Sequence, residues 1–219
     1  MKAKLLTTIG CLLLMAGLVH AQTASLSLVN ASNTTSGTYN PNDTFTLTLN
    51  ATTSFSANSF SAWLETNSAL APFLTITNET YVAFASPQDN GFPKAFSSSS
   101  GANPGFLTDT DTVNNPQTGT IDSGDLGATG AAVNAGTFTL STITFSLSGA
   151  PAGTYSLETT TGFGTGEKTS TIGDTTHTRH DVAAAVYTIT VVPEPATLSL
   201  LALSGLGSFG LNVLRRRRG

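Results

Sequence analysis

Two stretches of alternating apolar and polar residues limit the folds that are open to this sequence. Residues 44–49 read Thr-Phe-Thr-Leu-Thr-Leu, and residues 137–147 read Thr-Phe-Thr-Leu-Ser-Thr-Ile-Thr-Phe-Ser-Leu. Successive side chains of a β-strand point to opposite faces, whereas a helix would spread the same apolar residues around its circumference. Both stretches are therefore predicted to be strands with one face buried and the other in water.

The longer stretch changes its buried face part of the way along. Phe138 and Leu140 share one parity, whereas Ile143, Phe145 and Leu147 share the other. A slip of one residue moves every following side chain to the opposite face of a strand. The sequence therefore predicts a β-bulge between Leu140 and Ile143, or a strand that passes from one sheet to another.

Clusters of turn residues separate several more short strands. Residues 149–153 contain Gly, Ala and Pro, and they are predicted to form the turn of a hairpin that joins strand 137–147 to strand 154–158. Residues 86–135 are predicted to be rich in loops, with a weak strand around 118–121. The remaining predicted strands are 25–29, 60–65, 73–77, 80–84 and 185–191.

The composition favours an all-β fold. Only 10% of the residues are charged, whereas Thr, Ser, Asn and Gly are abundant and favour strands and turns over helices. The predicted fold class is a single antiparallel β-sandwich, of jelly-roll or immunoglobulin-like kind, over residues 22–191. Residues 22–192 contain twelve acidic and three basic residues, so this domain would repel phosphate backbones and is not expected to bind nucleic acid.

The first 21 residues have the three parts of a secretory signal peptide. Lys2 and Lys4 precede an apolar run over residues 5–19, and the small residue Ala21 ends the segment. We therefore predict cleavage after Ala21. A retained anchor is the alternative, but the run is shorter than the ~20 residues of a spanning helix. Cleavage would also remove Cys11, the only cysteine, so no disulfide is predicted in the mature chain.

Residues 192–219 contain three features in order: a proline–glutamate–proline unit, an uncharged apolar run and an arginine cluster. They are Pro193, Glu194 and Pro195; residues 197–214; and Arg215, Arg216, Arg217 and Arg218. As a helix, the apolar run is just long enough to cross a thin bilayer. Positively charged flanks stay in the cytoplasm, so the β domain is predicted to lie outside. The alternative is a buried C-terminal helix, which would have no need of four arginines at its end.

This C-terminal segment, together with the N-terminal signal peptide, resembles the PEP-CTERM sorting signal of Gram-negative bacteria. The resemblance implies recognition of the proline–glutamate–proline unit by an exosortase-type enzyme in the membrane and cleavage near it. It also implies a membrane-held intermediate with a cytoplasmic C-terminus, followed by delivery to the cell surface or to an exopolysaccharide matrix. It implies no activity for the β domain.

A second resemblance covers strands of the middle domain. Residues 39–47, 135–145 and 152–157 are similar to strands of cohesin-type β-sandwiches. The similarity concerns strand patterns and includes no binding residues. It therefore implies a cohesin-like sandwich and says nothing about a partner.

Acidic residues in the loop-rich segment are candidate calcium ligands. Asp109, Asp111, Asp122 and Asp125 lie within a short span of sequence. Ca²⁺ prefers six to eight oxygen ligands, which clustered loop carboxylates can supply in part. The EF-hand pattern is not present, because Val113 stands where a third ligand belongs. The alternative is that these aspartates are ordinary turn residues, and no other cofactor is predicted.

The sequence contains no convincing catalytic or zinc site. His177, His180 and Asp181 are close in sequence, but no other histidine remains after signal cleavage, and the segment is expected to be an exposed polar loop. A polysaccharide hydrolase would need paired carboxylates, for which candidates are Glu65, Glu79, Glu158 and the loop aspartates. The protein is predicted not to be an enzyme.

The predicted function is therefore that of an exported structural or adhesion protein of the cell surface or extracellular matrix, associated with exopolysaccharide. The alternative is a carbohydrate-binding module, with or without bound Ca²⁺. Such a module would stack sugars on aromatic rings such as Trp63, Phe92 or Phe96.

Overall fold

The computed structural model describes residues 21–87, 92–96, 107–108, 125–159 and 169–193. Within these ranges the one helical element is a 3₁₀ turn at Ala71–Phe73, and no helix is long and apolar enough to cross a membrane. The predicted helix 197–214 lies outside them. The strands are β1 (Ala24–Val29), β2 (Ser36–Tyr39), β3 (Thr44–Thr53), β4 (Ala57–Thr66), β5 (Leu74–Tyr81), β6 (Ser86–Pro87), β7 (Lys94–Phe96), β8 (Leu107–Thr108), β9 (Asp125–Val133), β10 (Gly136–Leu147), β11 (Gly153–Thr159), β12 (Thr171–Asp174), β13 (Arg179–Asp181) and β14 (Val186–Val191).

These strands form two sheets. The six-stranded sheet has the order β1-β3-β10-β5-β7-β8, and the eight-stranded sheet has the order β13-β12-β4-β11-β14-β2. In the eight-stranded sheet β9 also pairs with β4, and β6 pairs with β9. Among the described strand pairs, β14 and β2 are parallel and the others are antiparallel. The predicted all-β class is confirmed for this part of the chain.

The core lies between the two sheets and is built by alternation along the strands. Phe45, Leu47 and Leu49 point inward from β3, while the threonines between them point to solvent. Tyr187 and Ile189 of β14 are fully buried in the same core from the eight-stranded sheet. Burying a side chain of this size contributes roughly 1.5–3 kcal/mol. The alternation seen in the sequence therefore accounts for the packing of the sandwich.

The predicted bulge in β10 is confirmed. Thr139 pairs with Asn50 but Ser141 pairs with Leu49, so Leu140 is the extra residue. Both Leu140 and Ser141 are fully buried. The whole of β10 stays within the six-stranded sheet, so a bulge and not a change of sheet explains the shift of parity.

The predicted hairpin between strands 137–147 and 154–158 is wrong. β10 lies between β3 and β5 in the six-stranded sheet, whereas β11 lies between β4 and β14 in the eight-stranded sheet. Because both edges of β10 are occupied, the chain finds no free edge beside it and crosses to the other sheet. Gly149, with φ of 68°, lies in this crossing, and its N–H donates to the Asn42 side chain over 2.8 Å.

The strand predicted over 73–77 and the start of the one predicted over 80–84 form a single strand, β5, which ends at Tyr81. Its pairing with β10 passes from Ile76 opposite Phe145 to Asn78 opposite Thr144. Thr77 is the extra residue at this irregularity, and it changes the parity of the strand. The sequence pattern therefore suggested a break where the backbone continues.

β9 lies in the segment that was predicted to be mostly loop. Five of its nine residues are Gly or Ala, which are uncommon in strands, and it reads Asp-Leu-Gly-Ala-Thr-Gly-Ala-Ala-Val. A Cβ atom on Gly130 would lie 3.0 Å from the Cα atom of Phe84. Small residues therefore allow close packing here and at the same time weaken the strand signal. The weak strand predicted over 118–121 lies outside the described residues.

Candidate functional site

The last strand of the sandwich leads directly into the proline–glutamate–proline unit. β14 pairs antiparallel with β11 over six residue pairs and parallel with β2 over four. It is therefore held on both sides, and its alternate side chains, Tyr187, Ile189 and Val191, fill the core. The backbone of Val191 is opposite Gly153 on one side and Tyr39 on the other, so the pairing extends to the end of the strand.

The ordered sheet ends one residue before the first proline. The N–H of Val192 donates to the carbonyl oxygen of Tyr39 over 2.9 Å. Val191 is 2% exposed, Val192 is half-buried, and Pro193 is exposed. Proline has no N–H and cannot continue the ladder of hydrogen bonds. The unit therefore begins at the surface of a completed domain.

Two hydrogen-bonded tyrosines lie in the strands that end beside the proline–glutamate–proline unit. The hydroxyl groups of Tyr39 and Tyr187 are 2.6 Å apart, and the Asn30 side chain donates to the Tyr187 hydroxyl over 3.2 Å. Burial and the hydrogen bond with Tyr187 raise the pKa of Tyr39. A Cβ atom on Gly37 would overlap the Tyr39 hydroxyl and lie 2.5 Å from that of Tyr187. The missing side chain of Gly37 leaves room for this pair.

The other residues of the predicted sorting segment are not described. Glu194 and Pro195, the helix 197–214 and the arginines at 215–218 lie outside the described residues, as does the apolar part of the predicted signal peptide. Ala21, the predicted cleavage site, is exposed and precedes β1. Cleavage there stays a prediction.

Two of the candidate carboxylates meet on the outer face of the eight-stranded sheet. Glu65 of β4 lies directly opposite Glu158 of β11. Burial, together with a hydrogen bond and charge repulsion from Glu158, raises the pKa of Glu65 to about 7. Glu65 therefore gains or loses its proton near neutral pH. Glu79 is not part of this pair, since it lies in β5 of the other sheet and is 8% exposed.

The geometry of this pair differs from that of a glycoside hydrolase. Hydrolases hold their two carboxyl groups about 5 Å apart or more, because sugar or water must fit between them. Glu65 and Glu158 share a direct side-chain hydrogen bond instead. The pair thus links two strands, and the described residues offer no support for its use as acid and nucleophile.

A buried aspartate organises the turn near the histidines. Asp174 Oδ1 accepts from the backbone N–H of Thr176 over 2.8 Å, from its hydroxyl over 2.6 Å, and from the N–H of Thr178 over 3.0 Å. Asp174 Oδ2 lies 3.0 Å from His180 Nε2. These hydrogen bonds, those from the Thr176 hydroxyl and His180 above all, lower the pKa of Asp174. Sequence reasoning missed Asp174, although an aspartate before a run of threonines is typical of such turns.

The sequence predicted that His177 and His180 lie in an exposed loop, and this prediction is correct for His177 only. His177 is exposed, with φ of 67°. His180 lies half-buried in β13, with its ring 4.3 Å from that of Phe55 between centroids. Among the described residues, no group of three or more His, Cys, Asp or Glu side chains is placed to hold a metal ion. The contact between Asp174 and His180 connects β12 to β13 across the turn between them.

The predicted calcium ligands are largely outside the described residues. Asp109, Asp111 and Asp122 lie outside them, and Asp125 begins β9, where its backbone pairs with Trp63. Calcium binding therefore stays a prediction.

The aromatic residues proposed for sugar stacking are poorly placed for it. Trp63 and Phe96 are each 4% exposed. Phe92 is half-buried, and Lys94 Nζ lies 5.8 Å from the centre of its ring. A sugar needs an open ring face for stacking, which the burial of Trp63 and Phe96 does not provide.

Comparison with known families identifies the C-terminal segment. Residues 191–218 match the PEP-CTERM protein-sorting motif. The matched range begins at the last residue of β14 and continues through the arginine cluster. The motif implies export and processing by an exosortase-type enzyme. No curated protein matches the sequence.

Solved structures that are similar to this chain include cohesin modules. CaCohA2 from Clostridium acetobutylicum is 14% identical, with a TM-score of 0.48 over 78% of this chain and 91% of that one. The cohesin module of a Clostridium perfringens family 33 glycoside hydrolase is 11% identical, with a TM-score of 0.46 over 80% of this chain and 100% of that one. A non-cellulosomal cohesin from Archaeoglobus fulgidus is 10% identical, with a TM-score of 0.44 over 81% of this chain and 96% of that one.

Proposed function

We propose that the protein is an exosortase substrate that serves as a structural or adhesion protein at the cell surface or in the extracellular matrix. One observation carries the proposal: the sandwich is complete at Val192, directly before an exposed Pro193, within the matched sorting motif. A processing enzyme can therefore reach the motif without unfolding the domain. What is delivered is an intact β-sandwich.

The two ends of the chain direct its export and its retention in the membrane before cleavage. Residues 1–21 direct export, and the apolar run 197–214 holds the exported chain in the membrane with Arg215–Arg218 in the cytoplasm. Cleavage near Pro193–Pro195 then separates the sandwich from its membrane helix. The domain acts by contact and not by catalysis, which agrees with the direct hydrogen bond between Glu65 and Glu158 in the described part of the sandwich.

The proposal is tested by removing the motif. Deletion of residues 193–219 should move the protein from the cell surface or matrix into the periplasm or the medium, because the signal for processing is lost while the sandwich is intact. The amount in each fraction is measured with an antibody against the domain. A matched control replaces Thr38, in a neighbouring strand and outside the motif, by Ser and should leave the distribution unchanged.

Surface or matrix retention of the truncated chain at the wild-type level would overturn the proposal. Mass spectrometry of the wild-type protein gives a second, independent measurement. It should find an N-terminus at Gln22 and a C-terminus close to Pro193–Pro195. A mature chain that still ends at Gly219 would contradict processing.

A further inference from the structure

The outer face of the six-stranded sheet contains an uninterrupted set of small polar side chains. Every outward-facing residue of β3 and of β10 is Thr, Ser or Asn. The same is true of β5 from Thr75 to Thr80. We call the outward side of these three adjacent strands the hydroxyl face.

Strand register places these side chains in rows across the sheet. One row runs from Thr46 through Thr144 to Asn78. Neighbouring strands are about 4.8 Å apart, and residues on one face repeat about every 6.8 Å along a strand. The hydroxyls of Thr52 and Thr137 are 2.9 Å apart, and those of Thr46 and Thr144 are 3.5 Å apart. The face is thus an array of closely spaced hydroxyl and amide groups, with one extra residue in β10 and one in β5, and some of its side chains hydrogen-bond one another.

The hydroxyl face carries no charged side chain, which is unusual for a surface in water. Designed soluble proteins are given surfaces with about 25–35% Lys, Arg, Glu and Asp. The outer face of the eight-stranded sheet of this same protein does carry charges, among them Glu65, Glu158 and Arg179. The absence of charge is therefore a property of one face and not of the whole domain.

Chemistry and charge together select the kind of partner. Hydroxyl groups both donate and accept hydrogen bonds, as do the hydroxyl groups of sugars. An anionic polymer would find no cation on this face and an acidic domain around it. Threonine is stiff about χ1, so that ordering it on binding costs little entropy. Many weak contacts repeated along a polymer add up through multivalency.

We propose that the hydroxyl face binds neutral polysaccharide chains of the matrix to which the protein is delivered. This inference rests on the proposed function, and it specifies the surface and the chemical class of its partner. It differs from the aromatic stacking considered above, since the contacts come from threonine hydroxyls of β3, β5 and β10.

The test uses the full-length chain, purified in a polyoxyethylene detergent that contains no sugar. The probes are the neutral and the acidic fractions of the producing cells' own extracellular polysaccharide, separated by anion exchange and immobilised. The variant Thr46→Val with Thr144→Val removes two hydroxyls from the central row and keeps the shape and strand preference of the side chains. We expect it to bind the neutral fraction at least about tenfold more weakly, because several modest hydrogen bonds are lost together.

Two matched variants control for folding and for location on the protein. Thr46→Ser with Thr144→Ser keeps both hydroxyls and should bind like the wild type. Thr154→Val with Thr190→Val makes the same change at a cross-strand pair of the eight-stranded sheet and should also leave binding unchanged. If the valines alter the circular dichroism spectrum, Thr46→Lys replaces them, and it should reduce binding at least as strongly.

Equal binding by the wild type and Thr46→Val/Thr144→Val would overturn the inference, as would binding to the acidic fraction alone. Self-association that disappears in this variant would identify a second copy of the chain as the occupant instead. Extra mass on these threonines would identify attached sugars, and either result overturns the inference. A wild-type protein that reaches the cell surface but binds no neutral polysaccharide refutes this inference only, whereas its absence from the surface and matrix refutes the proposed function.

Discussion

Glu65 retains a proton in the folded protein at a pH where the unfolded chain would lose it. Its pKa rises from an ordinary value of 4.5 to about 7, because of burial and the hydrogen bond with Glu158. The associated stability is complete below pH 4.5 and is lost as the pH rises through 7. Since Glu65 is only half-buried, solvent screening reduces the effect to about 1 kcal/mol.

The variant Glu65→Gln should therefore unfold with a free energy that changes less between pH 5 and pH 8 than that of the wild type. Glutamine keeps a hydrogen bond to Glu158 without the repulsion between two carboxylates. At pH 8 the variant should be more stable than the wild type by about 1 kcal/mol, measured by urea unfolding of the chain 22–192. Asp181→Asn, at an exposed position of β13, is the control. If the free energy of unfolding changed with pH in the same way for Glu65→Gln and the wild type, the raised pKa of Glu65 would be contradicted.

Among the elements, β2 is a short strand that pairs with the last strand, β14, and contributes Tyr39 to the tyrosine pair. Gly37 lies beneath both tyrosine hydroxyls, and an added Cβ atom would overlap that of Tyr39. Gly37→Ala should displace β2 from β14 and destabilise the sandwich by roughly 1–3 kcal/mol. The loss of stability is measured as a fall in the melting temperature. The control is Ser36→Ala, at an exposed position of the same strand, and it should change the melting temperature little. An unchanged melting temperature for Gly37→Ala would show that the tyrosines can move aside.

At the level of the whole molecule, the sandwich should be independent of the segment that follows it. A chain ending at Val192 keeps every pair of β14 with β11 and β2, so it should melt within about 2 °C of the chain that continues to Pro195. A chain ending at Ala185 loses Tyr187, Ile189 and Val191 from the core and should fail to fold. A large loss of stability on cutting after Val192 would mean that the segment beyond it belongs to the domain.

Features encoded by neighbouring residues could be predicted from the sequence. The alternation in residues 44–49 identifies both the strand and its buried face, and the change of parity after Leu140 identifies the bulge. The sorting motif is likewise defined by the linear order of its residues. Even the composition of the hydroxyl face is visible as alternating threonines. These features depend on the order and alternation of residues that are close in sequence, which is a local property.

Partnerships between distant residues depended on the tertiary structure. The sequence suggested a hairpin after Leu147, but β10 already had β3 and β5 at its edges, so β11 joined the other sheet. That assignment brings Glu158 opposite Glu65, and the β12–β13 turn brings His180 to Asp174. It is also the register of β3, β10 and β5 that turns separate threonines into one array. Strand pairing is decided by which edges remain free when the sheets close, and no local pattern contains that information.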